Sequence, residues 1–299
     1  LRMPQGSAFY VAYGLSTGYG PGALIADGDN GPGAPAAIVF TPTSPTPSKG
    51  FWYGVLTYSQ LSGTTRLRNV TIEWAGNGYG AVYVNGNASP LTLDKLNIHD
   101  SGYYGIQAVN GKFALSNSTF ANGTNYDLYI DSSSSGSVTG STMSWVYDGS
   151  GAITWSGNTF NNYGQSTSVV HPNDLGSFTT GNTFNNVNGA TTNVPTGYVT
   201  RDQTWGAAAG PLVAQGALYV GGTDGRFFAG VYKLEHELLV VVNLDEVLAA
   251  RYGTLVAAAA GDHQQLVELE RQLLGLDHAE VSGMLAESWG LPPLYQQAV

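Results

Sequence analysis

A short alternating strand that closes on one apolar residue and runs into a polar turn recurs six times between residues 69 and 184. The copies are Asn69-Val70-Thr71-Ile72, Lys95-Leu96-Asn97-Ile98, Ser116-Asn117-Ser118-Thr119-Phe120, Gly140-Ser141-Thr142-Met143, Gly157-Asn158-Thr159-Phe160 and Gly181-Asn182-Thr183-Phe184. Their closing residues are 26, 22, 23, 17 and 24 positions apart, close to one turn of a parallel β-solenoid made of short strands. A second strand lies between copies, as in Ala81–Val84, Gly105–Ala108, Asp127–Ile130 and Ala152–Trp155. Alternation at period two puts one side chain inside and the next outside. Residues 60–190 are therefore expected to form at least five stacked coils, with Ile72, Ile98, Phe120, Met143, Phe160 and Phe184 in one interior row. A β-sandwich also has many short strands, but it needs tight hairpins, and few Asn-Gly or Asp-Gly turns join matched strands here.

The composition suits a solenoid. The 299 residues include 41 Gly and only 11% charged side chains, against about 25% charged in ordinary domains. Gly and Asn fit left-handed corners where strands change direction, and Asn in successive coils can stack as a hydrogen-bonded ladder. The fold class expected is mainly β, a right-handed parallel β-helix with a short C-terminal α-helical segment.

Other classes fall away. With no Cys, disulfide scaffolds, zinc fingers and thiol nucleophiles are excluded. The 11 basic residues are scattered singly, without the clustered footprint of a nucleic-acid groove. The apolar stretches Leu238–Val242 and Leu255–Ala260 are far short of the ~20 residues of a membrane span. No leader is visible in this chain, so a secreted protein would carry its leader outside it.

Charge marks a boundary. Residues 1–225 hold 11 of the 21 acidic residues, and Glu73 is the only Glu among them; residues 226–299 hold the other seven Glu. The expected division is a repeat domain over 1–225, a junction over 226–242 and a helical segment over 243–299. In that segment three apolar stripes at helical spacing are each bounded by a cap or a glycine stop. Three helices over 244–289 follow. Being few, they need to dock near Leu218–Val220 or pair with another chain.

"SGTTRLRNVTIEWAGNGYGAVYVNG" with the GNTF coils resembles bacterial right-handed parallel β-helix repeat proteins of secreted or cell-surface type, over roughly 36–225. "LERQLLGLDHAEVSGMLAESWGLPPLYQQAV", within roughly 243–299, resembles part of an HDOD domain, a helical regulatory relative of HD-type phosphohydrolases. The first resemblance implies a surface location; the second implies a regulatory role.

Candidate chemistry is sparse. Sugar cleavage needs two carboxyls ~5–9.5 Å apart. Asp100, Asp127 and Asp148 fall out of phase along their coils, leaving Asp127 and Asp131 as the best catalytic pair, with exposed turn residues as the competing reading. Arg68 and Lys95 fit adjacent coils, but no acidic cluster faces them in sequence. Asp27 and Asp29 sit in a turn that distantly suits Ca2+ as a cofactor. Tyr79, Tyr83, Tyr103, Tyr104, Tyr126 and Tyr129 cluster across three coils, and outward rings there can contact sugar or a protein partner.

The function expected is a non-enzymatic extracellular or cell-surface scaffold for adhesion or carbohydrate contact, with self-association through the solenoid end or the tail. The alternatives are a polysaccharide lyase or glycoside hydrolase on the same fold, and regulatory binding through the HDOD-like tail.

Overall fold

The computed structural model describes residues 1–12, 21–30, 35–163, 167–220, 228–233 and 238–242, together with 264, 265, 267, 268 and 271. The chain divides into two compact units, Leu1–Thr223 with Val231–Leu239, and Asp224–Gly230 with Val240–Val299.

Strands in the first unit pair with their counterparts one coil away, in parallel. Sheet one stacks Arg2–Met3, Ile38–Pro42, Arg66–Glu73, Leu91–His99, Thr119–Ala121, Thr142–Met143, Thr159–Phe160 and Thr183–Phe184. Its side branch holds Ile25–Asp27, Lys112–Ser116, Ser135–Thr139 and Ile153–Ser156. Sheet two stacks nine strands among the described residues, from Ala8–Val11 through Val82–Asn85, Ile106–Val109, Leu128–Ile130 and Val146–Asp148 to Leu212–Ala214.

The repeat fixes the register. Phe40, Ile72 and Ile98 are successive partners, Ile98 pairs with Phe120, and Met143, Phe160 and Phe184 follow in line. The expected interior row is present and gains Phe40 at its start; Phe184, at its far end, is only partly buried. Phe160 and Phe184 stack with centroids 4.9 Å apart, about the spacing of neighbouring strands.

Corners repeat in columns as well. Asn69, Lys95, Asn117, Gly140 and Gly157 all have φ between 49° and 64°, the left-handed region that Gly and Asn enter at least cost. Inside the coil a polar ladder follows: Leu96 N–H donates to Ser118, Ser118 N–H to Ser141, Ser141 N–H to Asn158 and Asn158 N–H to Asn182, at 2.9–3.1 Å. The Asn ladder expected from sequence is present at Asn158 and Asn182, and Ser118 and Ser141 take its place in the earlier coils.

Between residues 228 and 242, Phe228–Lys233 and Leu238–Val242 pair with each other. Residues 264, 265, 267, 268 and 271 are helical. The three tail helices and their docking otherwise fall outside the described residues. No helix among the described residues is long and apolar enough to cross a membrane.

Candidate functional site

The outer face of sheet two is aromatic. Tyr83, Gln107, Tyr129 and Tyr147 are successive outward partners along it. All six tyrosines singled out in sequence lie there, in two groups. Tyr79 packs on Tyr83 with centroids 5.1 Å apart, and Tyr53 and Tyr58 flank them. Beyond Gln107, Tyr104 stacks on Tyr129 at 4.7 Å and Tyr129 on Tyr147 at 4.8 Å and 11°. Tyr103 packs against Tyr104 at 3.9 Å, and Tyr126 against Trp145 at 4.5 Å.

In the Tyr104–Tyr129–Tyr147 stack the ring faces are used on one another, so the stack offers rims and hydroxyls. The tilted members Tyr103, Tyr126 and Trp145, and Tyr79 at 38% exposure, offer ring surface. Burial first, then neighbouring phenols, raises the pKa of Tyr83, Tyr104, Tyr126 and Tyr129. These hydroxyls therefore stay protonated and able to donate at neutral pH. Tyr104 already donates to Tyr103 at 3.1 Å, and Asn85 donates to Tyr83 at 3.1 Å.

Asp127, next to Tyr126, is buried at 5% exposure rather than lying in an exposed turn. Its carboxylate accepts the Ser144 N–H at 2.6 Å, which ties the Tyr126 corner to the chain leading into Trp145. Burial pushes its pKa up to about 6. Asp131 lies at the other end of strand Leu128–Ile130, and its carboxylate accepts N–H groups of Asn110 and Ser133 and the Ser134 hydroxyl. Each of these carboxylates is committed to its own corner. The strand Leu128–Ile130 lies between these two carboxylates, the acid/base pair considered from sequence.

The outer face of sheet one is ionic at its early coils. Contrary to the sequence reading, acids do face Arg68 and Lys95. Arg68 lies 3.4–3.7 Å from Asp27, Asp29 and Asp94, Lys95 reaches Asp29 at 2.6 Å, and Arg66 reaches Asp27 at 2.9 Å. The Arg66 hydrogen bond, foremost, holds the Asp27 carboxyl below its usual range. For Asp94, burial is the largest single influence and acts upward. Hydrogen bonds from Ser116, Asn117 and Arg68 together outweigh it and lower the pKa. Asp27 and Asp29 thus have protein cations for partners, which leaves the calcium-loop reading without a free carboxylate pair. No cluster of three or more potential ligands suited to a metal occurs among the described residues.

Two constellations escaped sequence reasoning. His99 lies between Glu73, 3.3 Å from Nε2, and Asp100, 2.7 Å from Nδ1; Thr41 donates to Glu73. The signal was present, since Glu73 and His99 each follow their coil's closing residue by one and are register partners. The second is a buried pair. Asp148 occupies an inward position in the row Thr57–Val84–Ala108–Ile130–Asp148–Val170. It is fully buried, and it accepts Trp155 Nε1–H at 3.1 Å and Ser150 N–H at 3.0 Å. Its carboxyl hydrogen-bonds Asp174, which is 1% exposed and held by Arg201 at 2.6 Å. Burial, then the neighbouring charge of Asp174, lifts the Asp148 pKa well above normal, and burial raises that of Asp174 as well, so the pair holds a proton more tightly than free carboxylates do.

Residues 53–201 match the family model of the right-handed β-helix region, and residues 239–299 match that of the HDOD domain. Residues 53–201 are a right-handed β-helix. Residues 239–299 are an HDOD-like region. Comparison with curated proteins and with solved structures gave no match. The aromatic face, the Glu73–His99–Asp100 group and all but two residues of the ionic web lie within the matched β-helix. Asp27 and Asp29 come from the coil before it.

Proposed function

We propose that the β-helix is a non-enzymatic extracellular or cell-surface scaffold whose aromatic face holds a carbohydrate chain. The observation that carries this reading is the pair of aromatic groups on one outer sheet, Tyr53, Tyr58, Tyr79 and Tyr83 on one side of Gln107 and Tyr103, Tyr104, Tyr126, Tyr129, Trp145 and Tyr147 on the other. Its rings are locked by mutual packing, so little side-chain entropy is lost on contact. Phenolic hydroxyls and tilted rings together suit a partner with both apolar faces and hydroxyls. Retardation in gels containing soluble polysaccharides tests it. Mobility shifts with at least one polymer and is restored by Tyr126→Ala with Trp145→Ala; no shift with any polymer overturns carbohydrate binding and leaves a protein partner as the reading to pursue.

A second reading, hydrolysis on the same fold, is favoured by the imidazole of His99 held between two carboxylates. Turnover of pectin or alginate that is lost in His99→Asn or Glu73→Gln would establish it; the scaffold reading expects none. The match of residues 239–299 supports a third reading, regulatory binding through that region.

A further inference from the structure

Strand Ile153–Ser156 is flanked on one side by Ser135–Thr139. On the other, the short helix Leu175–Thr180 takes the place of a strand. Its flanking and first-turn side chains stand in for the missing ladder: Asp174 accepts the Ile153 N–H at 3.0 Å and the Ser177 hydroxyl accepts the Trp155 N–H at 3.3 Å. The substitution leaves a cleft of about 640 Å³, lined by Thr154, Asn173, Ser177, Arg201, Asp202 and Thr204 among others. That volume falls within the range of small-ligand clefts.

Closing the strand edge accounts for Asp174 and Ser177. It does not account for the mouth of the cleft. Arg201 donates through Nε to the Asn173 carbonyl at 3.1 Å, and through Nη2 to the Gly151 carbonyl at 3.1 Å and to Asp174 at 2.6 Å. The guanidinium is fixed by three acceptors, one of them a buried carboxylate backed by Asp148. Nη1 makes no hydrogen bond within the protein among the described residues, and neither do the Asp202 carboxylate and the Thr154 and Thr204 hydroxyls. The cleft therefore gathers a preset donor, a charged acceptor and two hydroxyls that serve as either.

The charge balance names the ligand class. Asp174 already matches the Arg201 charge, and Asp202 adds a negative one, which disfavours an anion. The lining side chains named above include no aromatic or large aliphatic group, which disfavours a lipid or a flat heterocycle. Neighbouring hydroxyls on a ring, each both donor and acceptor, satisfy a guanidinium and a carboxylate together. We propose that this cleft is a binding site for a neutral saccharide unit, gripped by Arg201 and Asp202. The site is separate from the aromatic face and does not depend on it.

Titration calorimetry and ligand-observed NMR on the full chain, with cellobiose, maltose, xylobiose and galacturonic acid as probes, test the assignment. At least one neutral disaccharide binds saturably, and galacturonic acid binds more weakly. Asp202→Asn lowers that affinity roughly tenfold, the effect of removing one charged hydrogen bond. Its melting temperature stays unchanged, because Asp202 makes no internal bond. Arg201→Lys, which keeps the charge but loses the fixed fork, weakens binding at least as much. The proposal is overturned if none of the neutral disaccharides saturates, if galacturonic acid binds best, or if Asp202→Asn leaves affinity unchanged. Tyr126→Ala with Trp145→Ala leaves disaccharide binding intact while abolishing polymer retardation, so this site and the aromatic face fail or stand separately.

Discussion

Sheet one and sheet two arise from the same coils and the same alternation, yet their outer faces differ in chemistry. Inward, both are mainly apolar: Leu67, Leu93, Leu115 and Val138 line sheet one, and Val55, Val82, Ile106 and Leu128 line sheet two, all nearly inaccessible to water, with Thr57 and Asp148 as buried polar members of sheet two. Outward, sheet one shows Arg68, Asp94, Ser116 and Thr139 in one row, whereas sheet two shows Tyr83, Gln107, Tyr129 and Tyr147. Burial commits every second residue to packing and leaves its neighbour free to vary. The outer rows can therefore specialise without cost to the coil, and the inner rows cannot.

If that division of labour is right, damage should follow it. The largest loss is expected inside. Phe160 is fully buried against Trp155, Tyr163, Phe178 and Phe184, so Phe160→Ala should cost about 3–5 kcal/mol in denaturant unfolding. A loss under about 1 kcal/mol would show that the coils do not share one core. Next comes the pH dependence set by Asp127. Its folded pKa of about 6 lies above the ordinary aspartate value near 3.8, so the folded state holds the proton more tightly. The stability it contributes is full below about pH 4 and is lost as pH rises through about 6, by roughly 3 kcal/mol in total. Asp127→Asn should flatten that slope, measured by melting temperature across the range.

Removing the Asn158 side chain leaves the buried Ser141 N–H without its acceptor. Asn158→Ala should therefore cost about 1–3 kcal/mol. The outer faces should respond more weakly. Tyr129→Ala loses two stacked partners and should cost about 1–2 kcal/mol. Arg68→Gln, on the solvent side of the ionic web, should cost no more than about 1 kcal/mol, and less still in high salt. A larger effect for Arg68→Gln than for Phe160→Ala would break the comparison.

The inner rows were legible because their signal is local and repeated. Each closing residue from Ile72 to Phe184 marks its coil, and hydrogen bonding between coils allows one register. The aromatic face was half legible. Six of its tyrosines could be grouped by position, but Tyr147 and Trp145 belong to a later coil and join the face only through pairing with Tyr129 and Tyr126. The ionic web was missed for a different reason. Asp27 meets Arg68 only because Ile25–Asp27 is a side branch of sheet one, a strand outside the recurring motif.

The sequence by itself determined the solenoid, its interior row and its corner columns. A side-chain period of two, combined with a recurring closing residue, admits one way of burying the apolar set. Only the tertiary structure decided where the acids lie. Coil lengths run from 17 to 26 residues, so distance along the chain does not convert into position around the perimeter. Asp127 turned into a buried corner, Asp148 entered an apolar row, and Asp174 arrived beside it on a helix that replaces a strand. Those placements depend on how the variable turns close through space, where electrostatic partners are set by ångströms and not by sequence separation.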